Sequence, residues 1–133
     1  MSWPPIDLSS AAGELPGPGN YPATISDIRI YEKPDVVWLN VEFTLDNTKA
    51  SPRGALYAVA ATEGSRYLGR VVEGLRFLLR LSLAVGIEIA DADIEDLPSL
   101  LLGKRLEVTV AHSMRDGMPD LVVRSMRPLL ASK

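Results

Sequence analysis

The sequence contains no cysteine. That excludes disulfides, cysteine-rich zinc sites and thiol catalysis. Histidine is nearly as scarce: His112 stands alone, which excludes a multi-histidine metal centre and any mechanism that needs two imidazoles. No metal and no cofactor are expected. Aromatic residues make up only 6% of the chain, so a Trp or Tyr placed off an apolar face carries information. Long hydrophobic runs are also missing. The most apolar stretch, residues 75–89, carries Arg76 and Arg80 and is too short to span a bilayer. Met1-Ser2-Trp3-Pro4-Pro5-Ile6-Asp7 has neither the basic nor the apolar region of a secretory signal. A cytoplasmic location with no membrane partner is the expectation.

What is present fits one globular domain. The chain has 133 residues, 47% of them hydrophobic and 23% charged, which is ordinary composition for a soluble protein with a core. Residues 1–19 hold Pro4, Pro5, Pro16 and Pro18 with Gly13, Gly17 and Gly19. This stretch has neither a helical nor a strand period and reads as a flexible N-terminal arm. Residues 20–129 read as the folded domain, with a helical insertion at about 65–100 and a tail at 130–133.

Within the domain the periods are clear. Tyr21, Ala23 and Ile25 alternate with polar residues, and Ile28 and Ile30 continue in the opposite phase. One strand with a bulge near Ser26-Asp27 accounts for the slip, since a bulge shifts parity by one. Glu32-Lys33-Pro34-Asp35 is a turn signal. Val37, Leu39, Val41, Phe43 and Leu45 share one face of the next strand, with Trp38, Asn40, Glu42 and Thr44 on the other. After the polar loop 46–54, residues 55–62 form a third strand. Ser65 offers a helix N-cap and Gly86 a helix stop. Between them Leu68, Val71, Val72, Leu75, Leu78, Leu79 and Leu83 fall at helical spacing. The acidic stretch 91–97 reads as a short helical turn halted by Pro98. Leu106, Val108, Val110 and His112 share parity in a fourth strand, Arg115-Asp116-Gly117 marks a hairpin, and residues 121–127 form a fifth strand ended by Pro128.

The order β-β-β-α-β-β is mainly β with one long helix. A five-stranded OB-fold barrel, with its helix between the third and fourth strands, fits best. A split α+β sheet is the alternative.

Several short motifs carry a resemblance. Residues 15–25 (LPGPGNYPATI) resemble the opening of certain small phage and prophage proteins, which begin with a Gly-x-Tyr-x-x-x-Ile strand after a short leader. Val41-Glu42-Phe43-Thr44-Leu45 is similar to their second strand. Leu75-Arg76-Phe77-Leu78 and Leu83-Ala84-Val85-Gly86-Ile87 resemble their helix with its Ala-x-Gly end. Residues 102–110, opening Leu102-Gly103-Lys104, resemble their fourth strand, and Asp116-Gly117-Met118-Pro119 and Arg127-Pro128 fall at their last hairpin. The resemblance covers about residues 15–128. It implies an OB-fold protein of a phage replication or recombination module that binds single-stranded DNA. Binding without a sequence code is the leading expectation, and the expected partners are single-stranded DNA, phage replication or recombination proteins, and a second copy in a homodimer. The alternative is a protein-interaction or structural module on the same barrel, forming oligomers without binding DNA.

Single-strand binding needs aromatic platforms for bases and cations for phosphates. Trp38, on the polar face of the second strand, is the leading platform; the alternative is that it packs against the helix, the arm or a partner. Tyr31 and Tyr57 are further platforms. Arg29, Lys33, Lys49, Arg53 and Arg115, at loops and strand ends, are expected to form a basic rim around the barrel mouth. Arg66, Arg70, Arg76 and Arg80 give the helix basic character, read as a solvated face, with contact to phosphates or an acidic partner as the functional alternative.

Other motifs fail on inspection. Asp91-x-Asp93-x-Glu95 lacks the calcium-loop glycine, having Asp96 at position 6, and has Leu102 where position 12 needs Glu. Gly64–Val71 lacks the Lys and Ser/Thr of a phosphate-binding P-loop. His112 has no neighbouring Ser or Asp that marks a triad and reads as a rim histidine bonded to backbone or water. A non-enzymatic protein is the expectation. The net charge of -3 divides unevenly. Residues 1–20 carry -2 and residues 86–103 carry -5, so the remainder carries +4, with 14 basic residues against 10 acidic.

Overall fold

The computed structural model describes residues 16–46, 48 and 50–129. Most of the expected arm and the tail therefore lie outside the described residues, as does Lys49. Five strands follow in chain order: β1 (Gly19–Glu32), β2 (Val36–Leu45), β3 (Leu56–Ala61), β4 (Arg105–Arg115) and β5 (Met118–Arg127). The long helix α1 (Val71–Val85) and a one-turn helix α2 (Leu97–Leu101) lie between β3 and β4. No helix among the described residues is long and apolar enough to cross a membrane.

The strands form one antiparallel sheet in the order β3-β2-β1-β4-β5. It is strongly curled into an OB-like half-barrel rather than split into an α+β arrangement. β1 makes the curl possible. Its second half pairs with β2 and its first half with β4, and Ser26 is the extra residue where the register slips between Ile25 and Asp27. That is the bulge the parity change indicates. It bends the strand so that one chain serves both walls.

The core fills the concave side. Ile25, Leu39, Leu45, Leu81, Leu101, Leu106, Val108, Val110 and Leu121 are essentially fully buried, and burial of each such side chain contributes roughly 2 kcal/mol. The expected face of β2 holds from Leu39 to Leu45. At its start Val37 still packs against the core, half-buried, while Val36 is buried outside that cluster; the β2–β3 register slips beside Trp38 with Val59 the extra residue, so that Ala58 and Val59 are both buried on β3.

The helix departs from its expected orientation. Ser65 does not cap it: the Ser65 Oγ accepts the Tyr67 N–H at 3.1 Å in the turn before a 3-10 turn over Leu68–Arg70, and α1 opens at Val71, after Arg70, with no side-chain cap. Gly86 closes it in the left-handed region at φ 73°. Yet the buried face is Gly74, Phe77, Leu78, Leu81, Ser82 and Ala84. Of the apolar series in the sequence only Leu78 is on it. Leu68, Val72, Leu75, Leu79 and Leu83 face outward. Gly74 explains the choice: a Cβ there would stand 1.9 Å from the Ala58 carbonyl oxygen, so the helix backbone lies directly on β3. Pro98 is a second departure. It occupies the first turn of α2, where a missing N–H costs nothing, and so begins a helical turn instead of halting one.

Candidate nucleic-acid interface

A half-barrel leaves an open seam, and here the seam lies between the edge strands β3 and β5. One backbone bond crosses it, from the Arg53 N–H to the Leu121 carbonyl at 2.7 Å, beside an Arg53–Asp120 ion pair at 3.4 Å. Beyond that point the edges diverge, and α1 packs against both strands. The result is a groove of about 970 Å³. Residues 54–57 form one wall, residues 122–126 of β5 the other, and Val41 and Phe43 of β2 the floor.

Four arginines line this groove: Arg53, Arg76, Arg80 and Arg124, against one carboxylate, Glu73. Arg76, Arg80 and Arg124 form no ion pair with any described carboxylate. Arg124 owes its place to backbone geometry. β4 and β5 pair Val110 with Val123 and Thr109 with Ser125, so Arg124 is the extra residue of a bulge. Bulges re-aim a side chain in this way beside functional sites. Tyr57 stands in the same groove, stacked on Phe77 of α1 with ring centroids 4.1 Å apart and planes 7° from parallel. Burial pushes its phenol above the usual tyrosine value, with Arg80 pulling the other way.

A smaller hollow of about 130 Å³ adjoins the groove, sharing Tyr57 and Glu73 with it and adding Trp38, Leu56, Ala58 and Arg70. Trp38 is half-buried and meets Tyr67 edge-on, with centroids 4.9 Å apart. Arg66 and Arg70 place their guanidinium carbons 4.8 Å and 5.8 Å from the centre of the Tyr67 ring. Trp38 thus packs against the segment entering the helix while still lining a surface hollow. Trp38 and Arg70 in the hollow adjoin Tyr57 and the four arginines of the groove, with Tyr67 packed behind Trp38.

The structure gathers three of the expected site residues, Trp38, Tyr57 and Arg53, in this hollow and groove. The others do not form one basic rim. Lys33 precedes β2 and Arg53 lies in the loop that follows it, so the length of the strand, roughly 30 Å, separates the two positions. Tyr31 is exposed on β1, directly across from Trp38 in the β1–β2 register. Arg29 is held by Asp27 at 2.7 Å, and that hydrogen bond raises its pKa further above the usual range. Arg115 sits at the β4–β5 hairpin tip, the same end as Arg53. Arg76 and Arg80 were legible as helix charges but not as partners of Arg53, and Arg124 carried no sequence signal except its place in β5. His112 bonds backbone, with Nε2 2.6 Å from the Pro16 carbonyl oxygen. No family model matches the chain, and no curated protein matches it.

Proposed function

We propose that the protein binds single-stranded DNA without a sequence code, in a phage-type replication or recombination setting, along the groove between β3, β5 and α1. One observation carries the reading: four arginines, three without an ion-pair partner among the described residues, surround a groove with an aromatic wall. Guanidinium groups at this density favour a polyanion. Rings interleaved with cations suit a strand whose bases are free to stack, and every base has a face to offer, which makes recognition independent of sequence. The resemblance of short sequence motifs to those of small phage proteins supports the same reading.

The test is fluorescence anisotropy of labelled oligo-dT over a salt series. Four arginine–phosphate contacts at about 0.7 released counterions each give a log–log slope of about -3. Replacing Arg80 and Arg124 by Gln removes two contacts and lowers the slope by about 1.4. Absence of binding at low salt refutes the function. Binding whose slope the double variant leaves untouched refutes the groove.

A further inference from the structure

The helix α1 is apolar on two opposite faces. One is buried on β3 and β5 through Gly74, Phe77, Leu78 and Leu81. The other comprises Leu68, Val72, Leu75, Leu79 and Leu83, which are 43%, 54%, 51%, 59% and 66% exposed. Their spacing of four, three, four and four residues makes a single stripe, roughly 22 Å long at helical rise. Glu73, Arg76 and Arg80 occupy the flank between the two faces, and an apolar face of this length marks a contact surface that lacks its cover.

We infer that the cover is a second copy of this chain, docked on the outer face of α1 about a two-fold axis, with the two helices antiparallel. Area is the first argument. Five large side chains at roughly 100 Å² each expose about 500 Å², near the upper end for any patch on a monomer. Pairing two such patches buries about 1,000 Å² before the rims are counted, the threshold for a specific interface.

Charge gives the partner and the direction. The segment entering α1 carries exposed Arg66 and Arg70. The segment leaving it carries exposed Glu88, Asp91, Asp93, Glu95 and Asp96 with no cation through Gly103. An antiparallel pair sets the basic end of each copy beside the acidic end of the other. A parallel pair sets like beside like and is disfavoured. The stripe is self-complementary in the sense a two-fold interface requires. Arg76 and Arg80 follow the stripe on one flank of the helix, and a two-fold axis lying across antiparallel helices keeps that flank on one side. The two arginine grooves then open on the same side of the dimer.

The experiment is sedimentation equilibrium of the full chain without DNA, so that its outcome is independent of the groove's function. The expected mass is twice 14.4 kDa, falling to the monomer in a Leu79→Glu variant. Leu79 is solvent-exposed in the single chain, so this variant should keep the wild-type circular dichroism, and its urea midpoint should lose only the concentration-dependent part that dimerisation supplies. The chain has no native cysteine, which allows a direction test by oxidative cross-linking. Leu68→Cys and Leu83→Cys proteins should cross-link to each other when mixed, and neither to itself. A wild-type monomer at every concentration overturns the inference. So does a dimer indifferent to Leu79→Glu, which would lie on another face. Self-cross-linking at position 83 overturns the antiparallel arrangement.

Discussion

Replacing Gly74 by Ala tests the central packing of the fold. Helix propensity alone says the change should help, by about 1 kcal/mol. The structure says the opposite. The new Cβ would lie 1.9 Å from the Ala58 carbonyl oxygen and 2.8 Å from its carbon. Both atoms are backbone, in a strand held by pairing of Ala58 with Trp38, and no side chain can swing aside. Ordinary contact begins at 3.4 Å, so the helix has to withdraw by the difference between 3.4 and 1.9 Å. A withdrawal on that scale forfeits much of the dispersion contact of Phe77, Leu78 and Leu81 with the sheet. The expected net loss is about 3 kcal/mol, at the upper end for an overpacked core. Urea unfolding followed by circular dichroism measures it as a lower midpoint. Gly69→Ala is the control, because a Cβ there meets nothing within 4 Å, and its stability should stay within about 0.5 kcal/mol of wild type. If Gly74→Ala is as harmless as Gly69→Ala, the helix does not rest on the β3 backbone, and the orientation that exposes the leucine stripe falls with it.

Two further outcomes follow from the same geometry. Gly86 ends α1 at φ 73°, so Gly86→Ala should cost about 1 kcal/mol, read as a lower melting temperature; an unchanged value would place the helix end elsewhere. Burial raises the Tyr57 pKa, so the folded state keeps the phenolic proton at pH values where the unfolded chain loses it. The associated stability is complete below the unfolded tyrosine pKa of about 10 and is lost as pH rises through the folded value. Tyr57→Phe removes that loss, so urea midpoints of variant and wild type should diverge in favour of Phe above about pH 10; parallel pH profiles would show Tyr57 to be solvated.

The elements of the fold were legible because each has its own period. The parity slip in β1 named the bulge at Ser26, and Gly86 and Asp116-Gly117 marked a helix stop and a hairpin that the backbone confirms with φ of 73°, 53° and 78°. The face of α1 was not legible, for a physical reason. Two apolar faces compete, and more of the branched apolar side chains are on the outer one. Hydrophobic spacing favours Leu68, Val72, Leu75, Leu79 and Leu83. The sheet takes the face with Gly74 and Ala84 because only there can the helix axis approach β3 closely enough to stack Phe77 on Tyr57. In close packing the absence of a side chain decides the orientation, and a scale that scores glycine as nearly neutral does not register it.

The groove was half legible for a related reason. Trp38, Tyr57 and Arg53 belong to segments near β2 and β3, where the sequence order already brings them close. Arg76, Arg80 and Arg124 come from elements whose adjacency depends on two tertiary facts: α1 lies over the seam, and β5 reaches the far side of a curled sheet instead of pairing with β3. Neither fact has a local signature. Arg124 shows the limit most clearly, since its position follows from one unpaired residue in the β4–β5 ladder. The same seam accounts for the distribution of charge. Of the +4 outside the acidic segments, three guanidinium groups with no ion-pair partner among the described residues converge where the sheet fails to close. An open edge of that kind invites another strand to pair with it. Cations along it disfavour a neutral chain's approach and favour a polyanion's, so the arginines that guard the unpaired edges are the same ones on which the proposed single-strand binding rests.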